Sequence, residues 1–159
     1  MLNFFKKSKE SFVVSPVNGT CISLSQVPDN IFSEKLLGDG VAFVFETEAI
    51  CAPIDGVVTM IATTKHAFGI TDVNGLEVLV HIGLDTVELN GEGFEVLVKV
   101  NQKVKAGTPI VKLNRKFIEE HSINLITPVI LTNGENFEIS KEKKNAVKIG
   151  DQVMTAFTK

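Results

Sequence analysis

The segment KHAFGITDVNGLEVLVHIG, residues 65–83, holds two of the three histidines of the chain, with an Asn-Gly pair between them. Asn-Gly flanked by apolar runs is a strong hairpin signal, because a type I′ turn needs positive φ at both central residues. The segment therefore predicts two antiparallel strands that fold back on each other. Such a hairpin would bring His66 and His81 close together.

The register of this hairpin decides which side chains share a face. A two-residue loop at positions 74–75 places His81 opposite Phe68. His66 then lies on the same face, because side chains two apart on a strand point the same way. A four-residue loop also keeps the histidines together, whereas an odd-length loop or a bulge breaks the pairing.

The two predicted faces differ in polarity. One is nearly all apolar and is expected in the core: Ala67, Gly69, Thr71, Val73, Leu76, Val78, Val80 and Ile82. The other carries the histidines with Phe68, Ile70 and Leu79, and an apolar patch around a polar pair predicts a docking surface. The alternative is that a second sheet covers this face and that the histidines are hydrogen-bonded core residues.

Two neighbouring imidazoles suit phosphoryl transfer. The lone pair of a neutral ring can attack phosphorus, and an N–H of the other ring can donate to the phosphoryl oxygens. Thr64 lies two residues before His66, where its hydroxyl can bond the ring and fix its tautomer. Metal binding is the second option, although a closed zinc site needs four ligands and two histidines are too few.

The rest of the chain predicts an all-β fold. Short runs rich in Val and Ile alternate with Gly, Asn, Asp and Pro, which is typical of many short strands. Short helices are expected in PDNIFSEKLLG, with Asp29 as N-cap and Gly38 past the end, and in RKFIEEHS. The length suits one domain, predicted at residues 11–159 after a flexible tail at residues 1–10.

Composition excludes several classes of function. A net charge of −3 argues against nucleic acid and suits a basic protein partner. No apolar run can span a bilayer, so a cytoplasmic location is expected; weak membrane contact is expected only through the apolar and basic tail. Cys21 and Cys51 are expected to be buried hydrophobes, and His121 is expected to face solvent.

The chain resembles the glucose-type enzyme IIA proteins of the phosphoenolpyruvate-dependent sugar phosphotransferase system. The resemblance covers about residues 11–155 and rests on GLEVLVHIGLDTVELNGEGF (75–94), TTKHAFGI (63–70), APIDGVV (52–58) and VPDNIFSEKLLGDG (27–40). It implies an antiparallel β-sandwich, of the duplicated-hybrid kind, with a shallow active-site depression.

The resemblance also implies roles for the residues around the histidine pair. His81 would carry the phosphoryl group on Nε2, His66 would contact that group, and Thr64 would hold the ring of His66. The phosphocarrier protein HPr would donate the group, and a cysteine of a sugar-specific IIB domain of a membrane permease would accept it. No cofactor is required, and the chain alone would hold no metal. A transient zinc ion shared between His66, His81 and a partner's carboxylate is also implied.

A docking surface is part of the same resemblance. Its apolar positions are Ile31, Phe32, Leu37, Leu79 and, from the hairpin register, Phe68. Its acidic positions, which would meet basic side chains of the donor, are Asp29 and Asp85. A regulatory binding module of the same fold, which signals by its phosphorylation state, is the alternative function, because its histidines would look the same.

Overall fold

The computed structural model describes residues 9–143 and 145–159, and within them the chain forms fourteen strands and two short α-helices. The strands are β1 (Glu10–Val14), β2 (Gly19–Ser23), β3 (Asp39–Phe45), β4 (Ala49–Cys51), β5 (Gly56–Ile61), β6 (Ala67–Thr71), β7 (Glu77–His81), β8 (Phe94–Val96), β9 (Lys103–Val104), β10 (Pro109–Leu113), β11 (Thr127–Leu131), β12 (Phe137–Lys141), β13 (Ala146–Val147) and β14 (Gln152–Thr158). The helices are α1 (Asn30–Ser33) and α2 (Arg115–Glu120).

Three antiparallel sheets make up the fold. The largest has eight strands in the order β13-β2-β3-β11-β7-β6-β5-β9, and the two others are β1-β14-β12 and β4-β10-β8. Every strand pair described is antiparallel, and the apolar faces of the sheets meet in one continuous core. The predicted all-β antiparallel sandwich with short helices is confirmed.

A second, smaller apolar cluster lies beneath α1. It consists of Leu24, Val27, Phe32, Ala42, Leu84 and Ile130, with Ile22, Leu79 and Ile126 packed against it. The cluster joins α1 to the centre of the eight-stranded sheet, because Ala42 and Ile130 belong to β3 and β11. It therefore fixes the helix against the sheet next to the end of β7.

Both predicted helices are present, and their starts follow the capping signals. Asp29 caps α1, since its carboxylate accepts a hydrogen bond from the Ile31 N–H at 3.0 Å. Asn114 caps α2, since its side chain accepts from the Phe117 N–H at 3.1 Å. The first helix ends at Ser33, earlier than predicted, and turns lead from there to β3.

The predicted hairpin forms with a different register. Ala67, not Phe68, lies opposite His81, and Thr71 pairs with Glu77, so the loop at residues 72–76 has an odd length. A one-residue shift moves every side chain of a strand to the other face. Phe68 and Ile70 are therefore core residues, 0% and 1% exposed, and their predicted place on the histidine face is wrong.

The second strand of the hairpin follows the prediction. Val78 and Val80, and Ile82 just beyond β7, are buried, whereas Leu79 and His81 lie on the more accessible face. The predicted tail falls almost wholly on residues 1–8, outside the described residues, and β1 already includes Glu10. Membrane contact through the tail and the single-domain boundary stay predictions. Among the described residues, no helix has the length and apolarity to cross a bilayer.

Candidate active site

The two histidine rings meet at the end of the β6–β7 hairpin. Their ring centroids are 4.9 Å apart, and the ring planes cross at 76°. His81 is the last residue of β7, and His66 directly precedes β6 after a turn in which Lys65 has a φ of 64°. Because His66 lies outside the regular strand, the alternation of β6 does not control its ring. The predicted meeting of the histidines is confirmed. The expectation that an odd-length loop would separate them is wrong.

A backbone hydrogen bond also joins the two histidine segments. The N–H of Ile82, which follows His81, donates to the carbonyl of His66 at 2.7 Å. This bond joins the residue before β6 to the residue after β7. The distance between the two rings therefore depends on main-chain pairing as well as on side-chain packing.

The Nδ1 atom of each ring is engaged in a hydrogen bond. His81 Nδ1 lies 2.8 Å from the carbonyl oxygen of Gly83, and a carbonyl can only accept. Nδ1 of His81 is therefore the N–H, and its Nε2 keeps the lone pair. His66 Nδ1 lies 2.7 Å from Thr64 Oγ1, a hydroxyl that can donate or accept. Thr64 thus contacts His66 as predicted.

Both imidazoles favour the neutral form. Burial lowers the pKa of His66, and the neighbouring His81 lowers it further. Burial also lowers the pKa of His81, while the Gly83 carbonyl and the charges of Asp29 and Asp85 oppose that shift without cancelling it. A neutral ring has a free lone pair, which is the form that a nucleophile needs.

Phe32 packs against the His81 ring from the interior of the protein. Its ring centroid is 5.0 Å from that of His81, with the planes tilted by 57°. The side chain is only 3% exposed because it belongs to the cluster beneath α1. The prediction that Phe32 contacts a partner is therefore corrected: it packs behind His81 and excludes water from that side of the ring.

Exposed apolar side chains flank the histidines on two segments. The predicted residues Ile31 and Leu37 are 48% and 42% exposed, and Leu79 is half-buried beside His81. Leu36 and Val87, which were not predicted, are also exposed apolar residues, 68% and 50%, and each lies within two residues of a predicted position. Phe68, in contrast, is fully buried and does not belong to this surface.

Two acidic residues lie near the histidines as predicted. Asp29 is half-buried at the start of α1, and Asp85 is exposed with a φ of 60°. Both raise the pKa of His81 through their charge, which shows that their fields reach the ring. The site therefore combines two neutral imidazoles with an apolar and acidic margin.

The other candidate residues do not join the site. His121 is exposed at the end of α2, where its Nδ1 donates to the Phe117 carbonyl at 2.8 Å. Cys21 and Cys51 are buried as predicted, and burial raises the pKa of Cys21 to about 11. Neither thiol has the low pKa of a reactive cysteine.

The histidine pair alone does not fit a closed metal site. Within the part of the chain that the structure describes, no three His, Cys, Asp or Glu side chains cluster as metal ligands. The pair offers two Nε2 atoms at most, because both Nδ1 atoms are engaged. A tetrahedral zinc ion would need further ligands from outside this chain.

Comparison with known proteins agrees with this geometry. Residues 11–137 match the family described as phosphoenolpyruvate-dependent sugar phosphotransferase system, EIIA 1. The chain belongs to this family. The solved structure of glucose permease IIA from Mycoplasma capricolum is similar, with 39% sequence identity and a TM-score of 0.85 over 92% of this chain and 96% of that chain.

This EIIA chain is accordingly a phosphoryl-relay component of the sugar phosphotransferase system. Membership implies interaction with a phosphocarrier and with sugar-specific transporter components. The sequence analysis did not predict the hydrogen bond between His81 and the carbonyl oxygen of Gly83. The available signal was the glycine two residues after His81, since glycine permits the φ of 77° found there.

Proposed function

We propose that His81 accepts a phosphoryl group on Nε2 from the phosphohistidine of HPr and passes it to a cysteine of a IIB domain. One observation carries this assignment: the Gly83 carbonyl fixes the proton of His81 on Nδ1, which leaves Nε2 as the nucleophile. The neutral ring that burial favours supplies the lone pair near pH 7. The relay would operate in the cytoplasm, where we place both partners.

In the first step, the Nε2 lone pair of His81 attacks phosphorus. The new P–N bond forms as the bond to the donor imidazole breaks, and that electron pair returns to the donor nitrogen. His81 keeps its Nδ1 proton, so the phosphorylated ring carries positive charge, which the Gly83 carbonyl stabilises. In the second step, a cysteine thiolate attacks phosphorus and the P–N electron pair returns to Nε2.

His66 would stabilise the transferring group. If the Thr64 hydroxyl donates to Nδ1 of His66, the proton of that ring lies on Nε2. This N–H can then donate to a phosphoryl oxygen, in the manner of an oxyanion-hole donor. The closeness of the two rings, 4.9 Å between centroids, places such a donor beside the phosphoryl group on His81.

The margin of the site suits partners with apolar and basic surfaces. Its exposed or half-buried apolar residues are Ile31, Leu36, Leu37, Leu79 and Val87. Asp29 and Asp85 add negative charge, and the whole chain carries −3, which favours encounter with a basic donor. A zinc ion shared with a partner's carboxylate would use the same two Nε2 atoms, so zinc and the phosphoryl group would compete.

The proposal is tested by intact mass after incubation with phosphoenolpyruvate, enzyme I and HPr. Wild type is compared with His81→Gln, His66→Gln and the matched control His121→Gln, which changes the exposed histidine outside the site. We expect one acid-labile phosphoryl group on wild type, His66→Gln and His121→Gln, and none on His81→Gln. Adding IIB should then discharge wild type and His121→Gln quickly and His66→Gln slowly.

Each outcome bears on a separate part of the proposal. Phosphorylation of His81→Gln, or none on wild type with HPr charged, would refute the assignment of the carrier. Equal loss of acceptance in His66→Gln and His81→Gln would refute the division of roles. Acceptance by wild type without discharge to any IIB would favour the regulatory module.

A further inference from the structure

We propose that Thr86 and Thr127 are positioning residues that hold the peptide between Ile82 and Gly83 and so fix the tautomer of His81. This inference rests on the proposed role of His81 as the carrier. We call the two residues the threonine clamp. In the part of the chain that the structure describes, their hydroxyls bond the main chain and not the histidine rings. The proposed chemistry does not otherwise use them.

The clamp holds both polar atoms of one peptide unit. The Thr86 hydroxyl donates to the Ile82 carbonyl at 2.6 Å, and the Gly83 N–H donates to Thr127 Oγ1 at 3.3 Å. The Thr127 hydroxyl in turn donates to the Leu125 carbonyl at 2.9 Å. With its proton committed there, the Thr127 oxygen faces Gly83 as an acceptor.

Both hydroxyls of the clamp are buried, which makes these bonds necessary. Thr86 and Thr127 are 0% exposed, so water does not reach either oxygen. A buried peptide N–H or carbonyl without a partner costs a large part of its desolvation energy. The Ile82–Gly83 peptide therefore has one strongly preferred orientation while both threonines are present.

The held peptide controls the atom that bonds His81. The next peptide, between Gly83 and Leu84, presents the carbonyl that accepts from His81 Nδ1, and its N–H donates to the Asn124 carbonyl at 2.8 Å. Only the rotations at Gly83 separate the two peptides, and glycine limits these rotations less than any other residue. The threonine clamp supplies the constraint that the glycine lacks.

The threonine clamp lies close to both histidine segments in the fold. Thr127 is the first residue of β11, which pairs with β7 through Val129 and Val80. The same Ile82 residue donates its N–H to the His66 carbonyl. The clamp therefore lies beside the main-chain link between the two histidine segments.

Replacing either threonine by valine keeps its shape and removes the hydroxyl. Without the clamp, the peptide that carries the Gly83 carbonyl keeps only the bond from the Leu84 N–H to the Asn124 carbonyl. The Gly83 carbonyl then turns away more easily, and part of the His81 population carries its proton on Nε2. That tautomer has no lone pair at the attacking nitrogen. We expect the rate at saturating donor to fall about tenfold, with KM for phospho-HPr changed less than about twofold, because positioning and not binding is lost.

The experiment compares Thr127→Val and Thr86→Val with two controls. Thr127→Ser retains the hydroxyl and should restore most of the rate. Thr155→Val makes the same change at a threonine that is 7% exposed on β14, in another sheet. Nitrogen-15 NMR of unphosphorylated protein reports the His81 tautomer, phospho-HPr kinetics report rate and KM, and denaturation reports the stability of each variant.

We expect wild type, Thr155→Val and Thr127→Ser to carry the His81 proton on Nδ1, and both clamp variants to show the Nε2–H form as well. An unchanged tautomer and unchanged kinetics in folded Thr127→Val and Thr86→Val would overturn the inference. If Thr127→Val does not fold, Thr86→Val decides alone. Failure of wild type to accept a phosphoryl group would refute the proposed function, whereas the tautomer comparison would still test the clamp.

Discussion

Gly83→Ala should damage stability and relay together, because this glycine is constrained by both backbone and packing. Its φ of 77° lies in the left-handed region that L side chains rarely adopt. An added Cβ would lie 2.6 Å from the Thr86 methyl and 3.0 Å from the Asn124 carbonyl oxygen. The carbonyl of the same residue fixes the proton of His81.

Gly107→Ala provides the matched control for the magnitude. Its φ is 91°, and nothing lies within 4 Å of an added Cβ, so it reports the backbone cost without a clash. That cost is about 1–2 kcal/mol for a left-handed L residue. The buried overlap at Gly83 adds about 1–3 kcal/mol, typical of overpacking, so Gly83→Ala should lose about 2–5 kcal/mol.

Chemical denaturation of the two variants beside wild type measures these losses, and phospho-HPr kinetics measure the relay. We expect Gly83→Ala to be the less stable variant and to accept the phosphoryl group more slowly even where it is fully folded. Gly107→Ala should accept it at the wild-type rate. Equal stabilities of the two variants, together with an unchanged relay rate in Gly83→Ala, would refute the packing and tautomer reasoning.

Three further predictions concern the protonation of the histidines, the packing of Phe32 and the charge of Asp85. Burial depresses the pKa of His66 and His81 in the folded state, so the unfolded chain binds more protons. The free energy of unfolding should be highest above about pH 6.5 and should fall as the pH drops toward the pKa values of the two histidines in the folded state. Denaturation measured between pH 8 and pH 5 should show this pH dependence in wild type and a weaker one in the double variant His66→Gln, His81→Gln. Phe32→Ala should cost about 3 kcal/mol on denaturation, since the ring is buried, and an NMR titration should show the His81 pKa rising toward its usual value as water gains access. Asp85→Asn, which suits the local φ of 60°, should slow stopped-flow association with phospho-HPr at low salt and not at high salt.

The hairpin shows where sequence patterns determine structure and where they do not. Asn-Gly correctly predicted a reversal, but of the two residues only Gly75 has a positive φ, so no type I′ turn forms. Instead Asp72 accepts hydrogen bonds from the Asn74 and Leu76 N–H groups, each at 2.9 Å, and closes a longer loop. Ser11 of β1 bonds the other oxygen of that carboxylate. A residue of a distant strand thus helps to hold the carboxylate that closes the loop, and a local pattern does not contain that contact.

The local capping signal predicted the structure better than the hairpin pattern did, because a helix cap depends only on neighbouring residues. Asp29, the predicted N-cap, bonds an N–H group two residues away, so its contribution is contained in the adjacent sequence. Asn114 caps α2 in the same local way, although the sequence analysis did not name it as a cap. The register error carried over to Phe68, which was assigned to the docking surface and lies in the core. The buried position of Phe32 was missed because the cluster beneath α1 draws on β3 and β11, far apart in the chain.

The prediction of the histidine pair held despite the register error, because the pairing does not depend on the alternation of β6. His81 is positioned by β7, whose faces were predicted correctly, and His66 is joined to the same strand end by the Ile82 N–H. A relay must expose its nucleophile to two partners in turn, yet a fully solvated imidazole would be partly protonated near pH 7. Packing of Phe32 behind His81 reconciles these needs, because it desolvates the ring from within the protein and leaves the surface between the two exposed apolar segments open to a partner.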